Sequence, residues 1–267
     1  MSMRLDHFLT EATSQLLNAG IESARLDALI LLEDALHEDR ARLLAHPEMQ
    51  IPSAKIQALR TKIDRRTTHV PLAYIRGEAS FYTHNFIVTE HVLIPRPETE
   101  SMITLLGDLP LPAGPRIADI GTGSGCIGIT AALELPGAEV LLCDVDPQAL
   151  DVARRNAQAL QASVSFHQAD LLAGLPPCHV ILANLPYVPN TYPINRAAKH
   201  EPAIALFAGT DGLDLYRRLF AEIEAVKPVF ILTEALLEQH NALAAIARAA
   251  GYRVVRADGL CQVFTRA

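Results

Sequence analysis

The chain has 267 residues, half of them hydrophobic and a fifth charged, which argues against disorder and allows one large domain or a medium one with a small companion. Net charge is −7, yet residues 1–76 carry ten basic and ten acidic side chains, so the excess lies wholly in residues 77–267. Proteins that hold a phosphate backbone present a basic face, so this balance weighs against a nucleic-acid duplex, and direct nucleic-acid binding is not expected.

The first apolar stretch, Leu5 to Ala19, is broken by Asp6, His7, Glu11 and Gln15, which fits a helix better than a leader peptide. No run reaches the roughly 18 apolar residues of a membrane span, so a cytoplasmic protein without a membrane partner is expected. Leu5, Phe8, Leu9, Ala12 and Leu16 fall on one helical face, and Gly20 supplies a stop. A second helical stripe takes Leu26, Leu29, Ile30, Leu32 and Leu36. A third helix opens near Ser53 and aligns Ile56, Leu59 and Ile63. Between Pro71 and Pro97 the pattern changes: Phe81–Thr89 is rich in aromatic and β-branched residues, and Val92–Ile94 is a further apolar run. Together they predict a hairpin closed by Pro95 and Pro97. From about residue 99, apolar runs at Ile117–Ile120, Val140–Cys143, Val164–Phe166, Val180–Ala183 and Val229–Leu232 alternate with amphipathic stretches near 126–135, 147–160, 212–226 and 235–250. That alternation predicts a doubly wound α/β sheet, with its ligands beyond the carboxyl ends of the strands. Cys126, Cys143, Cys178 and Cys261 stand far apart without a CxxC pair, and the ten histidines form no HxH or HExxH pattern. Neither a metal site nor a disulfide is expected.

Chemistry concentrates at the predicted strand ends. Asp119-Ile120-Gly121-Thr122-Gly123-Ser124-Gly125 runs from a strand into a helix, with glycines that bring bare backbone against a ligand. Gly123-Ser124-Gly125-Cys126-Ile127-Gly128 also satisfies the GxGxxG pattern, so the loop alone leaves a nicotinamide enzyme open. Asp144 ends the next strand, where a carboxylate accepts both ribose hydroxyls of a nicotinamide or an S-adenosylmethionine ligand. Asp146-Pro147 reads as an ordinary helix cap. Asp170 is placed to accept from an adenine amino group, with Leu171 against the ring. The fourth strand ends in Asn184-Leu185-Pro186-Tyr187. Amide and exocyclic nitrogens are poor nucleophiles because their lone pair is delocalised. The Asn184 oxygen and the Leu185 carbonyl are positioned to accept the two N–H groups of such a nitrogen. Pro186 holds Leu185 extended, and the Tyr187 ring is expected to cover the flat face.

On these motifs the chain resembles the release-factor glutamine methyltransferases, the PrmC/HemK group, over nearly its whole length. Further segments carrying the resemblance are Pro71–Gly77, Leu93–Glu100, Glu201–Leu206 and Asp211-Gly212-Leu213. The resemblance implies an α/β, Rossmann-like class I methyltransferase domain over 99–267, a small N-terminal helical bundle over 1–75 that recognises the substrate, and a linking β-hairpin over 76–98. It implies S-adenosyl-L-methionine as cofactor, leaving as S-adenosyl-L-homocysteine, held by Gly121, Thr122, Gly123, Ser124, Gly125, Asp144, Asp170, Leu171 and Asn184. Asn184, Leu185, Pro186 and Tyr187 would grip the substrate, and Asn184, Pro186 and Tyr187 would carry the catalysis. The implied substrate is the glutamine of the Gly-Gly-Gln motif in class I peptide chain release factors, whose methylation supports translation termination. The family usually reads Asn-Pro-Pro-Tyr. Leu185 keeps the carbonyl of the missing proline, so Leu185→Pro is expected to be tolerated. Arg96, Glu98 and Glu201 are candidates either to touch ligand or to brace the site. Asn-Leu-Pro-Tyr is also similar to the motif of ribosomal RNA adenine dimethyltransferases. Nucleic-acid amino-methylation therefore stays as the enzymatic alternative, and a noncatalytic adaptor as the non-enzymatic one.

Overall fold

The computed structural model describes residues 2–267, which fall into two compact units. The first ends at Gly77 and takes in Asn195–His200; the second holds Glu78–Ile194 and Glu201–Ala267.

Helices α1 (Leu5–Asn18), α2 (Ala24–Leu36), α3 (Arg40–Ala45), α4 (Ser53–Thr67) and α5 (Leu72–Arg76) build the first unit, with a two-residue ladder between β1 (Met3–Arg4) and β2 (Gln50–Ile51). The α1 stripe is buried as its spacing predicts. In α2 the buried face is rotated from the predicted one: Ala24, Asp27, Ala28, Leu29, Leu31 and Leu32 face inward, and Leu26 is exposed. The cause is Asp27, whose carboxylate accepts from Arg66 Nε at 2.7 Å with both side chains nearly buried. A charge drawn inward by its partner overrides the simple leucine count. Asn195–His200 joins this unit through Arg196, whose guanidinium lies 3.2 Å from His69 Nε2, and through His200 at 3.0 Å from the Thr68 carbonyl.

The second unit opens with a hairpin of β3 (Glu78–Phe81) and β4 (His84–Ile87). The chain reverses inside the predicted first run, at Tyr82, which adopts φ 59°, so Phe81 and Phe86 meet edge to face. Val92–Ile94 forms no strand; its backbone turns to the site described below. The hairpin groups with the second unit, anchored by Asn156.

After α6 (Glu100–Gly107) come β5 (Arg116–Ile120), α7 (Cys126–Glu134), β6 (Glu139–Asp144), α8 (Pro147–Ala159), β7 (Val164–Gln168), β8 (Val180–Ala183), α9 (Asp214–Glu222), β9 (Phe230–Glu234), α10 (His240–Ala249), β10 (Tyr252–Asp258) and β11 (Cys261–Arg266). The sheet order is β10-β11-β9-β8-β5-β6-β7, parallel from β9 to β7, with β10 and β11 antiparallel. Residues along β8 alternate between two apolar clusters, Val180 and Leu182 in one, Ile181 and Ala183 in the other. The sheet is thus packed on both faces, which is why its strands read as unbroken apolar runs. Strand order reverses between β5 and β8, opening a crevice at their carboxyl ends. Helix α7 lies close over the sheet because Gly128 has no side chain; a Cβ there would sit 2.1 Å from the Leu142 side chain and 2.9 Å from Asp119.

Candidate active site at the carboxyl edge of the sheet

A cavity of about 300 Å³ occupies that crevice. The loop from β5 to α7 forms its floor, with Gly121, Gly123 and Gly125 all at positive φ. The loop is pinned from several sides. Thr122 N–H donates to the Cys143 carbonyl at 2.8 Å, and Gly123 N–H donates to Asp144 Oδ2 at 2.9 Å. Asn156 of α8, 1% exposed, donates to the Ser124 and Ile87 carbonyls and accepts from Ile87 N–H. One buried amide therefore ties the glycine loop to the hairpin.

Two carboxylates stand near the ends of neighbouring strands, Asp119 next to last in β5 and Asp144 last in β6. Asp119, fully buried, accepts from Thr122 Oγ1 at 2.6 Å and Gly128 N–H at 2.9 Å through Oδ2. Burial pushes its carboxyl up to about 6 despite these bonds. Asp144 lines the cavity; its oxygens accept from Gly123 and Asp146 N–H, and burial again raises its pKa. Asp170 and Leu171 line the same cavity. Asp170 is half-exposed and ion-paired with Arg218 at 2.7 Å.

Asn184, Leu185 and Pro186 form another wall. The Asn184 amide nitrogen donates to Thr99 Oγ1 at 3.2 Å, and Thr99 too lines the cavity. Leu185 is buried with its side chain against Gly121, and its backbone lies near the Tyr216 hydroxyl. That hydroxyl also lies 3.0 Å from the Ala183 carbonyl and 2.5 Å from the Glu234 carbonyl, joining the ends of β8 and β9. Tyr187 stands apart from the cavity lining. Its hydroxyl donates to Glu234 Oε1 at 2.9 Å, and its carbonyl accepts from Gln239 at 2.7 Å. Gly212 leaves room for that carbonyl: at φ +77°, a Cβ there would meet it at 2.0 Å. Thus Gly121–Ser124, Asp144, Asp170, Leu171, Asn184, Leu185 and Pro186 converge around the cavity, whereas Gly125 packs against Ile129 and Ala153 outside its lining, and Tyr187 closes the loop behind them.

Arg96 and Glu201 form an ion pair beside the cavity. Glu201, 7% exposed, accepts from Ile94 N–H at 3.2 Å and from Arg96 at 2.6 Å. Arg96 and the whole segment His91–Arg96 line the cavity; Glu98 is exposed outside it. Sequence reasoning missed Thr99, Asn156, Tyr216, Glu234 and Gln239. Only Thr99 carried a signal, lying in the Leu93–Glu100 segment. All four cysteines are buried and unpaired by disulfides, and no helix among the described residues is long and apolar enough to cross a membrane.

Comparison with known proteins agrees with this architecture. Residues 7–77 match the PrmC N-terminal domain and residues 100–200 the methyltransferase small domain. A release factor glutamine methyltransferase of Deinococcus radiodurans is 39% identical over 96% of this chain and 95% of its own. One of Coxiella burnetii is 36% identical over 92% and 91%. The hMettl16 catalytic domain, solved in complex with MAT2A 3′UTR hairpin 6, shares the fold at TM-score 0.54 and 16% identity, covering 79% of this chain and 81% of that one. The nicotinamide and adaptor readings fall away: the chain is a methyltransferase and belongs to the release factor glutamine methyltransferase family.

Proposed function

We propose that the chain transfers a methyl group from S-adenosyl-L-methionine to the side-chain amide nitrogen of the Gly-Gly-Gln glutamine in class I peptide chain release factors. Family membership supports the substrate, and the cavity supports the donor. Around Gly123 the loop is open, with no atom within 4 Å of a Cβ placed there, so its backbone is free to meet a ligand. Asp144 keeps lone pairs for ribose hydroxyls beside that loop, and Leu171 and Ile127 supply apolar lining.

When bound, the sulfonium supplies an electrophilic methyl group and leaves as a neutral thioether. The protein's part is orientation. The single observation that carries the reading is Asn184: its amide nitrogen is engaged by Thr99, which leaves Oδ1 to accept an N–H of the substrate amide. The Leu185 carbonyl accepts the other N–H. Two acceptors fix the amide plane and favour the positive charge that develops on nitrogen as it attacks. Pro186 limits the freedom of Leu185, and Tyr187, held by Glu234 and Gln239, fixes the loop. The first unit, with Asn195–His200, serves recognition of the release factor.

The test is transfer of labelled methyl from S-adenosylmethionine to a purified class I release factor, beside a variant with the Gly-Gly-Gln glutamine replaced. Label on the normal factor alone is expected. Equal label on both would move the target to another residue. Label on ribosomal RNA in place of either factor would hand the site to amino-methylation of nucleic acid.

A further inference from the structure

Glu234 has no direct use in the chemistry above, yet the site is built around it. It is the last residue of β9, 1% exposed, one position beyond the Ala183–Thr233 register pair and therefore beside Asn184. The Tyr187 hydroxyl donates to its carboxylate at 2.9 Å and the Cys261 thiol lies 3.9 Å from it, while Thr99 and Asn184, bonded to each other at 3.2 Å, have their side chains beside it.

An ionised carboxylate only accepts, so it dictates the direction of the dipoles around it. A Thr99 hydroxyl beside that carboxylate, already accepting from Asn184, is drawn to turn its hydrogen to Glu234. The Thr99 lone pair is then left for the Asn184 amide nitrogen at 3.2 Å. An Asn184 carboxamide rotated by half a turn would set its own oxygen against Thr99 and Glu234, two acceptors with nothing to donate to it. We infer that Glu234 is a positioning residue that acts with Thr99 to hold the Asn184 oxygen toward the cavity, so that Asn184 accepts from the substrate amide. The inference rests on the methyl-transfer reading.

Protonation would convert Glu234 from acceptor to donor and release this order. Burial raises its pKa, with the Glu98 charge adding and the Thr99 and Tyr187 bonds opposing. Of the groups facing it, burial raises Tyr187 and pushes Cys261 up to about 12, so neither titrates in acid. Glu98, whose charge acts on Glu234, is the control. Turnover should therefore be full above the Glu234 pKa and fall as pH drops through it.

The experiment is steady-state kinetics of the full chain on a release factor, with donor affinity by calorimetry. Glu234→Gln is expected to lower kcat roughly tenfold to a hundredfold while KM and donor affinity stay within about threefold. It should also remove the acid limb of the kcat profile, whereas Glu98→Gln keeps that limb. Thr99→Val should mimic the kcat loss, and Thr99→Ser should restore most of it. Wild-type kcat in Glu234→Gln overturns the inference. So does a loss that leaves the acid limb unmoved and weakens KM and donor affinity in step. Full activity in Thr99→Val breaks the relay. An unlabelled release factor in the wild-type reaction is a separate result: it removes the proposed function, and this role with it.

Discussion

Asp119 and Asp144 lie near the ends of adjacent strands, yet only Asp144 reaches the cavity. For Asp144, replacing a charge-assisted acceptor by a methyl group should weaken donor binding roughly tenfold to a hundredfold, the loss typical of bonds to a charged group. Calorimetry on Asp144→Ala checks this, and unchanged affinity would remove the ribose assignment. Asp119 bears on stability instead. Its folded carboxyl titrates at about 6 against an ordinary 3.8, so folding favours the protonated form. That contribution is complete below pH 3.8 and disappears as pH rises through 6, a loss of about 3 kcal/mol. Denaturant titrations should therefore show a flatter stability profile between pH 4 and 6 in Asp119→Asn than in the wild type; parallel profiles would refute the shift. Leu185→Pro, expected from sequence to be tolerated, now carries a cost, because a proline gives up the buried side chain that packs on Gly121. A stability loss of about 1–3 kcal/mol with methyl transfer retained is the outcome to look for by thermal unfolding.

Among the elements, the hairpin and the glycine loop are stabilised by the same buried side chain. Asn156→Ala leaves three backbone groups without that partner and should cost about 2–4 kcal/mol, lowering Tm by roughly 5–15 °C. A scanning-calorimetry shift under a degree would show that water replaces the amide. The parallel strands were legible in the sequence because burial on both faces leaves unbroken apolar runs such as Val180–Ala183. The β10–β11 hairpin was not, since its apolar residues are interrupted by Arg253, Arg256 and Gln262. Its one local sign was Asp258-Gly259, a turn pair suited to closing antiparallel strands. The cavity floor was likewise readable, as glycines and acids at strand ends advertise themselves. Glu234 was not: at the end of an apolar run a lone glutamate looks like the point where a strand meets water, and only the fold brings Asn184, Thr99 and Tyr187 onto it.

At the scale of the whole molecule, the division of labour follows the division into units. Every residue lining the cavity lies in the second unit. Removing residues 2–77 should therefore leave donor affinity within a few-fold and abolish methylation of the release factor, with calorimetry and label transfer as the two readouts. Retained methylation would place recognition in the second unit alone. The acidic excess also sits beyond residue 76, while residues 1–76 are charge-balanced.

The excursion of Asn195–His200 sets a further condition on this arrangement. Because the chain enters the first unit a second time, the two units are not beads joined by a single tether. One protease cut after Gly77 would release residues 1–77 without Asn195–His200, a piece of the same unit that stays on the longer fragment. A gene fusion spliced at that same point would carry off a recognition unit lacking one of its own pieces, so any new specificity grafted by recombination has to bring two distant stretches of coding sequence together.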